Sequence, residues 1–107
     1  MREVSMQEFA AARADGAFAL DVREAGEYLV GHVPGSVLMP MDEVAERVRE
    51  IPRTGPVYVV CANGNRSLAV AATLVRAGFD ARSVAGGVSA WEQADLPMIR
   101  GAHANVA

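Results

Sequence analysis

The single cysteine of the chain, Cys61, stands between an apolar run at 57–60 and a segment rich in helix-forming residues. This pattern predicts a strand, a tight loop and a helix, with the thiol at the start of the loop. The N–H groups and positive dipole end of that helix, together with Arg66, favour thiolate over thiol. The residues therefore predict a sulfur nucleophile in an anion cradle.

The loop after Cys61 has the composition of an anion-binding nest. Asn63-Gly64-Asn65 suits backbone with positive φ angles, which turns successive N–H groups toward one point. A lone cysteine at a strand end is more often a small buried hydrophobe, but packing needs no such nest. Ser67 is predicted to be the N-cap of the following helix.

The composition is typical of one globular domain. The 107 residues are 51% hydrophobic and 21% charged, which suits a single core. A net charge of -3 with scattered basic residues argues against nucleic acid or a membrane as the main partner. No transmembrane run or signal peptide is recognisable, so we expect a cytoplasmic protein. One Cys and two distant His predict no metal site, and no cofactor is expected.

Helix and strand signals alternate along the chain. Ser5 and Glu8 match a capping box that starts the first helix. The segment 42–51 has apolar residues at helical spacing and is predicted to be an amphipathic surface helix. In full, the patterns predict helices over 6–13, 24–29, 42–51, 67–77 and 88–94, and strands over 17–22, 36–39, 57–60 and 82–85.

This alternation predicts an α/β fold, with a small parallel sheet of about four to five strands and helices on both faces. Residues 1–107 should form one domain, and the tail from about residue 101 is small and polar enough to be flexible. The strand over 17–22 should deliver Asp21 and Arg23 to the C-terminal edge of the sheet, where α/β folds keep their sites.

Four segments make the chain resemble a single-domain rhodanese, a member of the sulfurtransferase family. They occur in the family's order and spacing through nearly the whole length. The segments are Leu20-Asp21-Val22-Arg23-Glu24, Glu27-Tyr28 followed by Gly31-His32-Val33-Pro34-Gly35-Ser36, the loop Cys61-Ala62-Asn63-Gly64-Asn65-Arg66-Ser67, and Gly86-Gly87 with Trp91. The loop departs from the commoner family pattern at Ala62-Asn63.

The resemblance implies that Cys61 is the catalytic nucleophile of a thiosulfate-type sulfurtransferase. It takes the outer sulfur of thiosulfate or a related persulfide donor, becomes a persulfide, and passes the sulfur to a thiol, cyanide or a protein acceptor. Arg66 is our candidate for binding the anionic donor, because its planar fork suits oxyanions. The alternative for Arg66 is a salt bridge to a nearby carboxylate. The substrate-binding loop comprises Ala62, Asn63, Gly64, Asn65, Arg66 and Ser67.

Three further residues of the resemblance are interpreted as structural support. Asp21 is expected to cap neighbouring N–H groups, and Arg23 to pair with Glu27. His32 lies in a Pro-Gly turn, so a bracing hydrogen bond is favoured over a role as general base.

Two other functions are open. Cell-cycle dual-specificity phosphatases resemble rhodaneses in fold, and an arsenate reductase would use similar chemistry. However, those phosphatases separate cysteine and arginine by five residues, whereas four intervene here. A catalytically silent, protein-binding rhodanese-like module is the other alternative. Many such modules have lost the cysteine, and this chain keeps both Cys61 and Arg66.

Overall fold

The structure is a computed structural model that describes residues 2–104. Within these residues one sheet contains the strands β1 (Arg2–Val4), β2 (Phe18–Asp21), β3 (Val37–Leu38), β4 (Pro56–Val60) and β5 (Asp80–Val84). The helices are α1 (Met6–Ala14), α2 (Ala25–Val30), α3 (Asn65–Arg76) and α4 (Gly87–Gln93). The strand order is β1-β5-β4-β2-β3, and neighbouring strands are parallel. The predicted α/β class and its parallel sheet are confirmed.

Buried side chains cover both faces of the sheet. On β4, Val57 and Val59 belong to a core that includes residues of α3. Tyr58 and Val60 belong to a second core with residues of α1 and α4, including Trp91. This alternation follows from the two-residue period of a strand. A strand buried on both sides is apolar throughout, which is why residues 57–60 form a continuous apolar run.

The register of the central strands brings the polar strand ends together. Asp21 of β2 lies beside Val60 of β4, and Val60 immediately precedes Cys61. Parallel strands share one C-terminal edge. The segments after β2 and β4 therefore meet at that edge.

The predicted helix over 42–51 is wrong. Its place is taken by two short 3₁₀ turns, Met41–Glu43 and Val48–Glu50, closed by i→i+3 hydrogen bonds. Val44 and Ile51 are buried as the spacing indicated, because either helix type can bring apolar residues to one side. A 3₁₀ helix rises about 2.0 Å per residue rather than about 1.5 Å, so the same chain spans more of the sheet surface.

One strand was missed, and the helix after the cysteine loop begins earlier than predicted. The edge strand β1 was missed because it is three residues long and only Val4 is buried. Helix α3 begins at Asn65 rather than Ser67, and its N-cap is Gly64 in the left-handed region, with φ 99°. Ser67 is therefore not the N-cap, and its predicted capping role is wrong.

Part of the segment predicted to be a flexible tail makes hydrogen bonds to the domain. The Gly101 N–H donates to the Leu29 carbonyl, and the Ala104 carbonyl accepts from the Gly35 N–H. The rest of that tail, residues 105–107, lies outside the described residues. Flexibility of the tail stays a prediction.

Candidate active site

The loop between β4 and α3 wraps around the sulfur of Cys61. The Gly64 and Ser67 N–H groups donate to Sγ at 3.1 Å and 3.3 Å, and Ser67 Oγ lies 3.4 Å from it. The left-handed conformation of Gly64 turns its N–H inward. A Cβ at this position would also come within 3.2 Å of the Gly86 nitrogen, so glycine suits both the turn and the contact.

Opposing effects act on the thiol. Cys61 is only 1% exposed, and burial by itself raises the pKa of its thiol. Hydrogen bonds from the Ser67 hydroxyl and from the N–H groups of Ser67, Gly64 and Asn63 outweigh burial and lower the pKa below its usual value. The loop therefore favours the thiolate, the nucleophilic form of cysteine.

A second serine supports the Ser67 hydroxyl from the neighbouring strand. Ser83 of β5 is fully buried, and its Oγ lies 2.8 Å from Ser67 Oγ. When Ser67 donates to the thiolate, its oxygen can accept from Ser83. The sequence analysis missed Ser83, whose signal was a small polar residue within a buried strand.

The carbonyl groups of the loop are bound by the start of α4. The Val88 N–H donates to the Cys61 carbonyl at 2.9 Å, and the Ser89 N–H to the Ala62 carbonyl at 3.0 Å. Ser89 Oγ also donates to Asn63 Oδ1. Ser89 and Asn63 are 26 positions apart in sequence, and the sequence analysis did not predict these contacts. They hold the loop against the start of α4.

Gly87 permits this close approach. A Cβ built on Gly87 would lie 2.2 Å from the Cys61 carbonyl oxygen and 2.8 Å from the carbonyl carbon of Ala62. Gly86-Gly87 is one of the segments that carry the resemblance to a rhodanese. The structure adds that α4 and the cysteine loop pack backbone against backbone at this point.

The predicted donor-binding residue Arg66 forms a bidentate salt bridge. Its Nη1 and Nη2 donate to Glu27 Oε1 and Oε2 at 2.8 Å and 2.9 Å. The hydrogen bond from Arg66 holds the Glu27 pKa at about 2, and the same pair raises the pKa of Arg66 above its usual range. Arg66 thus forms the salt bridge to a carboxylate that the sequence analysis left open as an alternative. About a third of each of the two side chains is exposed.

Arg23 does not pair with Glu27, so that prediction is wrong. Its Nη2 donates to Asp21 Oδ2 at 2.8 Å and to the Gly31 carbonyl at 2.8 Å. Asp21 Oδ1 accepts the Arg23 N–H at 3.0 Å, the kind of contact expected of it. Asp21 is fully buried and Arg23 almost so, and they link the end of β2 to the end of α2.

His32 is buried with both ring nitrogens engaged. Nδ1 lies 2.9 Å from the Tyr28 carbonyl oxygen, and Nε2 lies 2.8 Å from that of His103. The imidazole also stacks on the Tyr28 ring, with centroids 3.6 Å apart. This geometry leaves no ring nitrogen for proton transfer to a substrate. A structural role for His32 stays a prediction.

The remaining predicted loop residues differ in their contacts. Asn63 accepts from Ser89 through its side chain, and Asn65 opens α3. Ala62 lines a cavity of about 160 Å³ together with Glu27. Between residues 2 and 104, no three His, Cys, Asp or Glu side chains come together as a set of metal ligands. No helix in the same range is long and apolar enough to cross a membrane.

Comparison with known proteins agrees with this arrangement. Residues 5–94 match the model of the rhodanese-like domain. The chain belongs to the rhodanese-like family. The thiosulfate sulfurtransferase GlpE of Pseudomonas entomophila is 35% identical to this rhodanese-like chain over 91 residues, which cover 84% of each protein. GlpE of Pseudomonas syringae pv. syringae is 36% identical and covers 84% of the chain and 86% of the relative.

A solved structure is also similar to this rhodanese-like domain. The rhodanese-related protein from Thermoplasma volcanium superposes with a TM-score of 0.87 at 28% identity, over 92% of this chain and 98% of the other. Together with the curated relatives, it supports a sulfurtransferase of the rhodanese type in general.

Proposed function

We propose that the chain moves a sulfane sulfur from thiosulfate, or from a related persulfide donor, to a thiol or cyanide through a persulfide on Cys61. The observation that carries this proposal is the hydrogen bonding of Sγ by the Gly64 and Ser67 N–H groups. They favour a thiolate and remain in place when negative charge moves to an attached sulfur. The names of the GlpE relatives support the choice of thiosulfate.

The first step is attack of the Cys61 thiolate on the outer sulfur of thiosulfate. A new S–S bond forms at Sγ, the S–S bond of thiosulfate breaks, and its electron pair leaves with sulfite. The persulfide keeps one negative charge on its outer sulfur. Cyanide or a thiolate then attacks that sulfur and releases thiocyanate or a new persulfide, and the electron pair returns to Sγ.

Backbone groups at the start of α3 are suited to hold the outer sulfur. The N–H groups of Asn65 and Arg66 have no hydrogen-bond acceptor within residues 2–104. Free N–H groups in the first turn of a helix bind anions, and groups already in position stabilise charge as it develops. We assign these two groups to the terminal sulfur of the persulfide.

Arg66 would contact the donor while it keeps its salt bridge. Glu27 receives hydrogen bonds from two N–H groups of the guanidinium, which carries five. The others have no acceptor within residues 2–104, and they would bind the oxygens of the donor and of the departing sulfite.

The test is the intact mass of the protein after incubation with thiosulfate and removal of the excess, without reducing agent. Wild type should gain one sulfur atom, and cyanide or a thiol should remove it. Cys61→Ser should gain none and should keep the circular dichroism spectrum of wild type. No gain in folded wild type with a free thiol would contradict thiosulfate as the donor. That result would favour a dedicated protein donor or a silent binding module.

A further inference from the structure

Glu27 is fixed on Arg66 from two sides. The two residues are 39 positions apart, yet both carboxylate oxygens accept from the guanidinium. Oε1 also accepts the Glu24 N–H at 2.9 Å, as part of the capping box at the start of α2. With a pKa of about 2, the carboxyl is charged at any pH at which a thiolate exists. The cation next to the cysteine loop therefore carries a permanent counter-charge.

The same carboxylate lines the cavity beside the loop. This cavity of about 160 Å³ includes Ala62, which directly follows Cys61. Arg23 also lines it, but this guanidinium is bound to Asp21. Glu92 and Arg100 add one charge of each sign to the lining, and the described residues contain no ion pair for either. A donor bound by Arg66 thus meets a guanidinium whose charge is largely cancelled by Glu27.

We propose that Glu27 sets the charge preference of the site, so that singly charged sulfane donors are favoured over dianionic thiosulfate. This inference rests on the proposed sulfurtransferase function and names a class of donor for it: a thiosulfonate or an organic persulfide. A dianion is repelled by Glu27 twice as strongly as a monoanion at the same position. If Glu27 only oriented Arg66, its removal would instead weaken the use of the dianion most.

Two donors that differ by one charge separate these roles. Thiosulfate and methanethiosulfonate both present a terminal sulfur on an oxidised sulfur. The thiolate of Cys61 takes that sulfur from methanethiosulfonate, the S–S bond breaks, and methanesulfinate leaves with the electron pair. The measurement is kcat/KM for each donor, with cyanide as acceptor, in wild type, Glu27→Gln and Glu92→Gln.

Glu27→Gln should raise the ratio of kcat/KM for thiosulfate to that for methanethiosulfonate by about two- to fivefold, the scale of a partly exposed charge pair. Glutamine keeps an oxygen for the Glu24 N–H, so the start of α2 is retained. Glu92→Gln removes the same charge from the same cavity and should change the ratio less. An unchanged or lower ratio in Glu27→Gln, or an equal rise in both variants, would overturn the inference.

Alkylation of Cys61 tests the charge effect without sulfur transfer. Cys61 is the single cysteine, so its reaction rates with iodoacetate and iodoacetamide can be read directly. Glu27→Gln should raise the iodoacetate to iodoacetamide rate ratio, whereas Glu92→Gln should raise it less. If neither sulfur donor reacts but this ratio rises, the sulfurtransferase proposal fails and the charge selection stands. If the donors react and neither ratio rises, the charge selection alone fails.

Discussion

Gly87→Ala tests whether the close contact between α4 and the cysteine loop positions the nucleophile. Its effect should exceed the cost of placing an alanine at a positive φ angle. Gly87 has φ 55°, and an added Cβ would stand 2.2 Å from the Cys61 carbonyl oxygen. The three atoms nearest to the added Cβ are backbone atoms of Cys61 and Ala62, so no neighbouring side chain could rotate to make room for it. Either α4 or the loop must move, and the hydrogen bond from the Val88 N–H to Cys61 should weaken with it.

Gly16→Ala is the matched control. Gly16 has φ 88°, and an added Cβ would meet nothing within 4 Å. Its substitution should cost about 1–2 kcal/mol for the left-handed backbone. Gly87→Ala adds the cost of overpacking, about 1–3 kcal/mol, and should lower the free energy of unfolding by about 2–5 kcal/mol.

Urea unfolding and persulfide formation measure the two consequences of Gly87→Ala. A displaced loop misplaces the donors around Sγ, and such shifts can reduce rates by about 100-fold. The rate of sulfur gain by the folded variant should fall by at least about tenfold, whereas Gly16→Ala should keep the wild-type rate. If Gly87→Ala matches Gly16→Ala in both stability and rate, the tight contact does not position the nucleophile.

Three other variants test the remaining parts of the site. Ser67→Ala removes the hydroxyl beside Sγ and should raise the pKa of the Cys61 thiol. The midpoint of the pH dependence of iodoacetamide alkylation should therefore move to higher pH, and the alkylation rate at neutral pH should fall. An unmoved midpoint would contradict the assigned hydrogen bond. Arg66→Ala should raise KM for thiosulfate by about three- to tenfold, and unchanged kinetics would exclude Arg66 from donor binding. His32→Ala should lower the unfolding free energy by about 2–4 kcal/mol with little change in turnover, and the opposite result would indicate a catalytic role.

Local patterns predicted the strand, loop and helix around Cys61. A buried strand, a glycine turn and a helix start each depend on neighbouring residues, so the sequence could indicate them. The 3₁₀ turns at Met41–Glu43 and Val48–Glu50 were not predictable in this way. Apolar residues in a short segment can reach one core from either helix type, and the hydrogen-bond pattern is decided by the sheet on which they pack.

The partners of the site residues were harder to predict because they lie far away in sequence. Arg66 and Glu27 are 39 positions apart, so only the folded arrangement of α2 and the loop decides that they pair. For the same reason, the sequence analysis wrongly paired Glu27 with Arg23 instead of Arg66. Asp21 accepts hydrogen bonds from both the backbone N–H and the guanidinium of Arg23. Because Arg23 is engaged in this local pair, Glu27 pairs with Arg66.

The loop uses the two polar edges of its backbone for different tasks. Its N–H groups point to Sγ, and the carbonyl groups of Cys61 and Ala62 accept from the start of α4. Because a peptide plane is rigid, fixing the Ala62 carbonyl also fixes the direction of the Asn63 N–H, one of the groups that lower the pKa of the Cys61 thiol. Stabilisation of the thiolate by backbone therefore does not depend on the side chain of Ala62, one of the two positions at which the loop departs from the commoner family pattern. Substitution of Ala62 should change donor selection in the cavity that it lines more than the reactivity of the sulfur.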